Sequence, residues 1–307
     1  MEIKGILVTA LAPFENHIAN GGEKLLGNAS SIKRRPDGRV YISGQMQRHV
    51  LFSAIDRLNT VDSDRNSTFV SNGDGISNQI ENDLRADMGG FMHPSKGDYS
   101  GRRIAPLSVT PAVALDESAV GRDLLVRIRF DESEDAKDQA LATKEFSQKD
   151  IMHMNFFLDI SALSISKAFT YKNSFNIATN YFKHASEEER KRRARLYLEA
   201  TKSMNDYSSQ ARNAVSGEPQ QVLIVFDTIL SRKASRYFTA DEQERKNILA
   251  ELDARNAVYF LGNDTTENSV YKAYEAAMEF LKNNENTLFD PSRGKDVVTF
   301  QDAFGRE

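Results

Sequence analysis

The spacing of apolar residues predicts an alternation of strands and helices along the chain. EIKGILVTAL is apolar and β-branched, as expected of a strand, whereas after Ser43 apolar residues recur at helical spacing, at positions 46, 50, 51, 54, 55 and 58. Ser43 suits the N-cap of that helix. RDLLVRIRF and MHMNFFLDISALSI alternate with period two, and QVLIVFDTIL is continuously apolar, so each of the three is predicted to be a strand.

The alternating segments also predict which side chains are buried. One face of each strand is expected to meet the core, because successive side chains of a strand point to opposite sides. In RDLLVRIRF the expected buried face is Leu124, Val126, Ile128 and Phe130. In MHMNFFLDISALSI it is Met152, Met154, Phe156, Leu158 and Ile160.

Three more helices are predicted in the second half of the chain. Ser186 and the glutamates that follow it form a capping box for the helix EEERKRRARLYLEATKSM. Its leucines are expected to face inward and its cations to face solvent, namely Lys191, Arg192, Arg193 and Arg195. Thr239 is predicted to cap a further helix, and the last runs from about Thr266 to Leu281.

The resulting order is strand, helix, strand, strand, helix, strand, followed by helices. This order is typical of the split β-α-β arrangement of ferredoxin-like and RNA-recognition (RRM) folds, so the predicted fold class is α+β. We expect residues 1–307 to form a single RRM-like domain. A segment rich in Ser, Asn, Asp and Gly, at about 59–121, is interpreted as a projecting insertion, and C-terminal helices are expected from about residue 239.

Composition limits the function. The chain of 307 residues has no cysteine, which excludes disulfides and thiolate metal sites and fits a reducing cytoplasm. No apolar run approaches the roughly 20 residues needed to cross a bilayer, so no membrane partner is expected. The net charge of −4 means that any binding of nucleic acid has to come from a local basic patch.

Such a patch lies immediately before the first predicted helix. Lys33, Arg34, Arg35 and Arg39 fall within seven residues and are opposed only by Asp37. A helix N-terminus offers unpaired backbone N–H groups and a partial positive charge, so a phosphate fits there whatever the base sequence. The residues alone favour a plainer interpretation, in which a solvated basic turn precedes an ordinary capped helix.

Three blocks of sequence resemble the DevR-type backbone subunit of type I CRISPR Cascade effector complexes. The first is RRPDGRVYISGQMQRHVLFSAIDRL, in which Ser43, Gly44, Gln45 and Arg48 match the family's turn and helix start. The second comprises DLRADMGGFM at 83–92 and GRRIAPLSVTPAVAL at 101–115, and the third is QARNAVSGEPQQVLIVF at 210–226. The acidic cluster between Asp131 and Asp138 and the C-terminal helices depart from the family pattern.

The resemblance implies an RRM palm with inserted finger and thumb elements and no catalytic activity or cofactor. Copies of such a subunit assemble on one guide crRNA beside other Cascade subunits, grip its backbone and leave bases free to pair with a target DNA strand. Degradation of the DNA then belongs to a recruited helicase-nuclease. With the resemblance, Arg48 becomes the first candidate for RNA contact, and the full set is Asn20, Lys24, Lys33, Arg34, Arg35, Ser43, Gln45, Arg48, Arg102, Arg103 and Arg212.

Two other functions stay open. A metal-dependent ribonuclease of a related CRISPR complex would use Glu15, Glu23 or the aspartates near Asp131 to hold a divalent ion. None of the five histidines has a metal-ligand spacing, so the enzyme signal is weak. The plainer alternative is an RRM-like protein that binds unrelated single-stranded RNA as a monomer.

Overall fold

The computed structural model describes residues 1–26, 28–73, 77–92, 102–130 and 137–304, with the backbone alone at positions 92, 102, 127–130 and 137–140. The strands are β1 (Glu2–Ile3), β2 (Gly5–His17), β3 (Glu23–Lys24), β4 (Ser30–Ser31), β5 (Tyr41–Ile42), β6 (Phe91–Met92), β7 (Arg102–Arg103), β8 (Leu107–Val109), β9 (Ala112–Ala114), β10 (Val120–Phe130), β11 (Lys137–Asp159), β12 (Ile165–Lys172), β13 (Phe175–Lys183), β14 (Gln221–Asp227), β15 (Val258–Asn263) and β16 (Thr287–Leu288). The helices are α1 (Gly44–Val61), α2 (Leu84–Gly89), α3 (Glu187–Lys202), α4 (Glu242–Ala254), α5 (Val270–Lys282) and α6 (Phe300–Phe304), with a 3-10 helix at Lys233–Thr239.

The chain forms a mixed α+β fold around one large sheet. Strand β2 lies at its centre, antiparallel to both β14 and β11, and the order across the sheet is β15-β14-β2-β11, with β8 and β9 on the far side of β11. Because β8 and β9 pair with β11, residues 107–114 of the predicted insertion are part of the sheet. Along the chain, the core elements follow the order β2, α1, β8 and β9, β11, α3, β14.

Helices α1, α3 and α5 cover one face of this sheet, and the 3-10 helix and α4 cover the other. Met152, Met154, Phe156, Leu158 and Ile160 are all buried in the helix-side core, which confirms the face predicted for this strand. On the opposite face, the sheet packs against side chains of the 3-10 helix and of α4. The buried residues of that second core include Leu7, Leu11, Phe157, Leu223, Val225, Phe238 and Leu252.

Strands β10 and β11 form a ribbon whose predicted buried face is exposed. Leu124 is 66% and Val126 is 50% exposed, and Leu141, which lies opposite Val126, is 51% exposed. The prediction of a buried face is wrong for this part of the ribbon, because alternation shows which side chains share a face but not whether anything covers it. The side chains of Ile128 and Phe130 lie outside the described part of the chain, as do residues 131–136 of the acidic cluster and the side chain of Asp138.

Helix α3 is the second place where burial differs from prediction. Arg192 and Arg193, expected to face solvent, are buried, and Arg190 is buried beside them. Arg190 donates to the carbonyls of Leu163, Ile160 and Phe289, so its charge is satisfied within the protein. Buried cations persist only when paired or hydrogen-bonded in this way.

The helix starts follow the predicted caps with small shifts. Ser43 accepts a hydrogen bond from the Met46 N–H at 3.2 Å and Ser186 accepts one from Glu189, which confirms both caps. Helix α4 is capped by Asp241 instead of Thr239, because Thr239 ends the preceding 3-10 helix. In the described residues, no helix combines the length and apolar character that a membrane span requires.

Candidate nucleic-acid interface

The basic patch forms a tight turn at one end of the sheet. The Arg35 N–H donates to the Arg39 carbonyl at 2.9 Å, and the Gly38 N–H donates to the Arg35 carbonyl at 3.0 Å. Gly38 has a φ of 82°, a conformation that favours glycine, and a Cβ there would lie 2.8 Å from Glu117. We call residues 33–40 the basic turn.

The cations of the basic turn differ in solvent exposure and in ion pairing. Arg35 is exposed, and Lys33 is half-buried. Arg34 lies 3.7 Å from the buried carboxylate of Glu145 but keeps 42% of its side chain exposed. Arg39 is paired with Asp37, its guanidinium lying 2.7 Å from the carboxylate. Three cations therefore remain available to an anion, and Arg39 is largely neutralised by its neighbour.

A buried hydrogen-bond network fixes the backbone of the basic turn to the sheet. The Val40 N–H donates to Ser118 Oγ at 3.0 Å, and that hydroxyl donates to Asp150 at 2.5 Å. Nε2 of His17 lies 2.6 Å from the other Asp150 oxygen, and Nδ1 of His17 accepts from the Ala19 N–H. The network joins the end of β2 to β11 and to the turn. The backbone that carries the basic residues is therefore held in place. We call it the His17–Asp150 network.

The carboxylate in this network stays ionised. Burial by itself raises the pKa of Asp150, but the hydrogen bonds from His17 and Ser118 outweigh burial and lower the pKa below its ordinary value. Because Nδ1 of His17 accepts a backbone N–H, the proton toward Asp150 is on Nε2. This histidine is thus a structural hydrogen-bond donor inside the network.

Two predicted residues occupy the loops beside this turn. The Asn20 amide donates to the carbonyls of Lys33 and Tyr41 at 3.0 and 3.1 Å and accepts from the Gly22 N–H, so its side chain is buried and holds the loop to the turn. Lys24 is exposed on β3. The geometry gives Asn20 a structural role in place of the predicted RNA contact, and leaves Lys24 as a surface cation.

Arg212 lies on a second loop that reaches the same edge of the sheet. It is exposed, and its neighbour Asn213 donates to the carbonyl of Asn16 at 2.8 Å. Ser208 of the same loop lies beside Gly21, where a Cβ would come within 3.2 Å of the serine hydroxyl. The structure therefore brings the predicted residue Arg212 to the loop that follows β2.

The start of helix α1 is half open. Ser43 is half-buried and caps the helix, and Gln45 is exposed. Gly44 packs against the backbone of residues 109–111, since a Cβ there would lie 3.3 Å from the Val109 carbonyl oxygen. One side of the helix N-terminus is therefore closed by protein, and Gln45 marks the side that faces solvent.

Arg48 and Arg85 form a pair of half-buried cations that the sequence revealed only in part. The two guanidinium groups lie 5.6 and 4.7 Å from the Phe52 ring, and Arg48 also donates to the Gly89 carbonyl at 2.5 Å. Within the described ranges no carboxylate is ion-paired with either arginine, and Nε of Arg85 has no hydrogen-bond partner.

Burial affects the pKa values of this pair but does not remove its charge. It lowers the pKa of Arg48, and burial together with the nearby Arg48 charge lowers the pKa of Arg85, although both remain cations at neutral pH. Arg85 was not predicted as a site residue. The sequence feature that could have pointed to it is the segment DLRADMGGFM, in which Arg85 follows closely after Asp83, the N-cap of α2.

Of the predicted pair Arg102 and Arg103, the structure describes the side chain of Arg103, and it is buried. Arg103 is 8% exposed and donates to Asp87 at 2.5 Å and to the carbonyls of Ala162 and Ile165. Its prediction as an RNA contact is corrected to a buried structural cation, because these protein oxygens surround its guanidinium. The side chain of Arg102 lies outside the described part of the chain.

The acidic residues considered for metal binding are separate in the described structure. Glu15 and Glu23 are exposed on β2 and β3, and the side chains at Asp131 and Asp138 lie outside the described residues. Among the residues described, no group of three or more His, Asp or Glu side chains is arranged to hold a metal ion.

The fold is α+β, with several cations on loops at one end of the sheet, and comparison with known proteins gives the family. The family model described as "CRISPR-associated negative auto-regulator DevR/Csa2" matches residues 14–216. The match spans about two thirds of the sequence, so the chain belongs to the DevR/Csa2 family of CRISPR-associated proteins. This confirms the resemblance drawn from the three sequence blocks. A search of the curated proteins finds no match to the chain.

Solved structures show the same fold. One chain, from a "CRISPR RNA-guided surveillance complex", is 15% identical with a TM-score of 0.54, and the alignment covers 90% of this chain and 99% of that one. A second, from a "CRISPR RNA-guided surveillance complex, pre-nicking", is 12% identical with a TM-score of 0.52, covering 90% and 100%. At these identities the similarity is one of fold.

Proposed function

We propose that this chain is a non-catalytic backbone subunit of a type I CRISPR Cascade effector complex that binds guide crRNA through its phosphate-ribose backbone. The geometric observation that carries the proposal is the basic turn, whose exposed cations are fixed to the central strand by the His17–Asp150 network. Family membership and the fold of the two surveillance-complex chains support it.

The palm of this subunit, in our proposal, is the sheet with α1 and α3. The strand order β14-β2-β11 followed by β8 and β9, all antiparallel, and the chain order of these elements support a ferredoxin-like or RRM topology. In many RRMs the open sheet face stacks bases on aromatic residues. Here that face is buried under Phe238 and Leu252, which favours RNA binding at the loops of the sheet edge.

A subunit that accepts any guide sequence has to contact phosphate and ribose, since base contacts would select sequences. The cations at one end of the sheet suit this need, namely Lys24 on β3 and Lys33, Arg34, Arg35 and Arg212 on loops. Arg48 and Arg85 add a second, half-buried pair of cations next to helix α1. The partners in this proposal are the crRNA, further copies of the chain, other Cascade subunits, the target DNA strand and a recruited helicase-nuclease.

The test is to co-express the chain with a guide RNA and its partner subunits and to isolate the assembly on a sizing column. We expect a large particle that carries RNA of one discrete length. Replacing Arg34 and Arg35 by alanine should weaken RNA retention and flatten the slope of log affinity against log salt by about 0.7 for each phosphate that is no longer neutralised. The matched control replaces Lys246 and Lys272, two exposed lysines of α4 and α5.

Two outcomes would overturn the proposal. A monomer that retains no RNA even with guide and partners present would exclude a filament subunit. Cuts at regular spacing in complementary RNA, dependent on magnesium and abolished by replacement of Glu15 or Glu23, would show a ribonuclease instead. The same incubation with the Lys246 and Lys272 variant shows whether a loss of cleavage is specific to Glu15 or Glu23.

A further inference from the structure

A groove lies at the opposite end of the central strand from the basic turn. One wall is the β12–β13 hairpin and the other is the loop of residues 289–295, and the space between them measures about 550 Å³. The lining comprises Thr179, Tyr181, Phe289, Asp290, Pro291, Ser292, Arg293 and Lys295. We call it the hairpin groove.

Aromatic rings and lysines alternate on the hairpin face that forms this wall. Lys167 lies opposite Tyr181 in the register of the hairpin, and Phe169 lies opposite Thr179, so these side chains share one face. Nζ of Lys167 is 5.8 Å from the Tyr181 ring centroid. The half-buried rings of Tyr181 and Phe169 therefore present partly exposed faces beside a cation.

The opposite wall has the same chemistry. Phe289 is half-buried, and Nζ of Lys4 lies 4.9 Å from its ring centroid. Arg293 and Lys295 are exposed on the loop that follows. Ring faces flanked by cations are the recurring chemistry of surfaces that bind single-stranded nucleic acid, because bases stack on the rings and phosphates contact the cations.

The charge of the groove is strongly one-sided. Residues 165–183 contain three lysines and no carboxylate, and residues 289–295 add Arg293, Lys295 and Asp290. Asp290 is already paired with Lys183 at 3.4 Å and accepts from Ser292. Within the described structure, Lys167, Arg293 and Lys295 have no carboxylate at ion-pair distance. Such a local excess of cations in a chain of net charge −4 is complementary to a polyanion.

The groove is too far from the basic turn to share one short segment of nucleic acid with it. Lys4 immediately precedes β2, whereas His17, which anchors the basic turn, ends that strand. A strand of this length spans about 40 Å at the usual rise per residue. The two surfaces therefore require two separate segments.

We propose that the hairpin groove binds a second segment of single-stranded nucleic acid, distinct from any segment held at the basic turn. Bases stack on Tyr181 and Phe289, and phosphates contact Lys167, Arg293 and Lys295. The proposal does not depend on guide binding at the basic turn, because it rests on the rings and cations of the groove alone.

The test measures binding of two fluorescent probes, oligothymidylate and oligouridylate of about 15 nucleotides, a length within the site sizes of single-strand-binding surfaces. The protein is used as purified, with any guide and partners it carries. Both probes are non-complementary to the guide, so pairing with it contributes nothing. The ratio of the two affinities shows whether the groove prefers DNA or RNA.

Two variants separate the contribution of charge from that of stacking. Replacing Lys167, Arg293 and Lys295 together by alanine should weaken probe binding at least about ten-fold and reduce the salt slope by about 2, since each phosphate that is no longer neutralised lowers it by about 0.7. Tyr181→Ala should weaken binding about five-fold or more with the salt slope unchanged, because stacking involves no counterion release. The control replaces Lys246, Lys272 and Lys282, three exposed lysines of α4 and α5.

A measurement on the unaltered protein guards against misfolded variants. A probe carrying 5-iodouracil, irradiated on the wild-type protein, should cross-link to peptides from 165–183 or 289–295. Unchanged binding in the triple variant, or cross-links confined to other peptides, would overturn the proposal. It would also fail if the triple variant lost self-association but kept probe binding, because the groove would then hold a second copy of the chain. Probe binding that survives in the Arg34 and Arg35 variant would separate this site from the basic turn.

Discussion

Nη1 of Arg193 lies 2.7 Å from a carboxylate oxygen of Asp87, and both side chains are fully buried. The other Asp87 oxygen accepts from Arg103 at 2.5 Å and from the Ser164 N–H at 2.8 Å. One carboxylate thus joins helix α2, strand β7, helix α3 and the turn before β12. It fixes α2 and β7 to the core beside the Arg48 and Arg85 pair.

Asp87→Asn should destabilise the protein by about 3–5 kcal/mol, because two buried guanidinium groups lose their shared counter-charge. The free energy of unfolding is measured by urea titration at neutral pH. Asp116→Asn, at an exposed aspartate, is the matched control and should change stability by less than about 0.5 kcal/mol. A decrease below about 1 kcal/mol for Asp87→Asn would mean that the two arginines do not need this carboxylate.

Acid should weaken the same network. Burial by itself raises the pKa of Asp87, but Arg103, Arg193 and the Ser164 hydrogen bond outweigh burial and lower the pKa below the ordinary 3.8. A carboxyl with a lowered folded-state pKa stabilises the fold above its unfolded pKa, and this stability is lost as the pH falls through the folded value. We therefore expect the urea concentration at the unfolding midpoint to decrease as the pH is lowered below about 4. This decrease should be smaller in the Asp87→Asn variant than in the wild type.

His184 should give a second pH dependence, at milder acidity. Nδ1 of His184 donates to the Val298 carbonyl at 2.8 Å, and Nε2 lies 2.9 Å from the Ser166 hydroxyl, so the neutral ring fits its site. Burial lowers the pKa of His184 below the ordinary 6.5. The unfolded chain then binds the proton more readily, so stability is lost as the pH falls below 6.5.

The measurement is the free energy of unfolding between about pH 7 and pH 5, the range in which histidine titrates. We expect a decrease toward acid that is smaller in His184→Gln. Gln243→Ala, at an exposed glutamine of α4, provides the control, since it removes no titratable group and should leave the slope of stability against pH unchanged. Equal slopes for His184→Gln and the wild type would show that His184 is not the group responsible.

These networks also show how far the sequence predicts the structure. Local patterns were sufficient to predict the start of α1 at Ser43 and the buried face of β11. A helix cap and an alternation of apolar residues are both encoded within a few residues. The burial of Arg193 was missed because its partner Asp87 is 106 residues away. The exposure of Leu124 was missed for the related reason that no local pattern shows whether a face is covered.

The residues of the candidate site differ in the same way, since some are predictable from local sequence and others depend on remote contacts. Exposed cations in a Gly-containing turn, such as Arg34 and Arg35, are recognisable from local sequence alone. The roles of Asn20 and Arg103 are set by carbonyl oxygens supplied from remote segments, so both were assigned to RNA from residue type and are structural in the fold. Arg85 was missed because its proximity to Arg48 arises only when α2 packs on Phe52.

Arg48→Ala should weaken RNA retention while leaving the fold intact. The substitution removes one hydrogen bond to the Gly89 carbonyl and the cation–π interaction with Phe52, but it also relieves repulsion from Arg85. We expect stability to change by less than about 1.5 kcal/mol, the typical net worth of one hydrogen bond. RNA affinity is measured by filter binding and stability by thermal unfolding, with Arg65→Ala, an exposed arginine, as control. A variant that fails to fold would make Arg48 a structural residue.

The last prediction concerns how the basic turn is held. Ser118→Ala removes the hydroxyl that accepts from the Val40 N–H and donates to Asp150, and so leaves a buried backbone N–H without its partner. Such a change costs about 1–3 kcal/mol and should loosen the turn locally. Hydrogen exchange at Val40 should accelerate, and RNA affinity should fall several-fold although no charge has changed.

The matched control is Ser63→Ala, at a serine after α1 that is exposed, which should alter neither quantity. If Val40 exchanges faster in Ser118→Ala but RNA affinity stays the same, the basic turn does not need a fixed backbone to bind phosphate. If neither changes, the His17–Asp150 network holds the turn without the serine. A decrease in affinity with unchanged charge would show that the positions of Lys33, Arg34 and Arg35, as well as their number, determine binding.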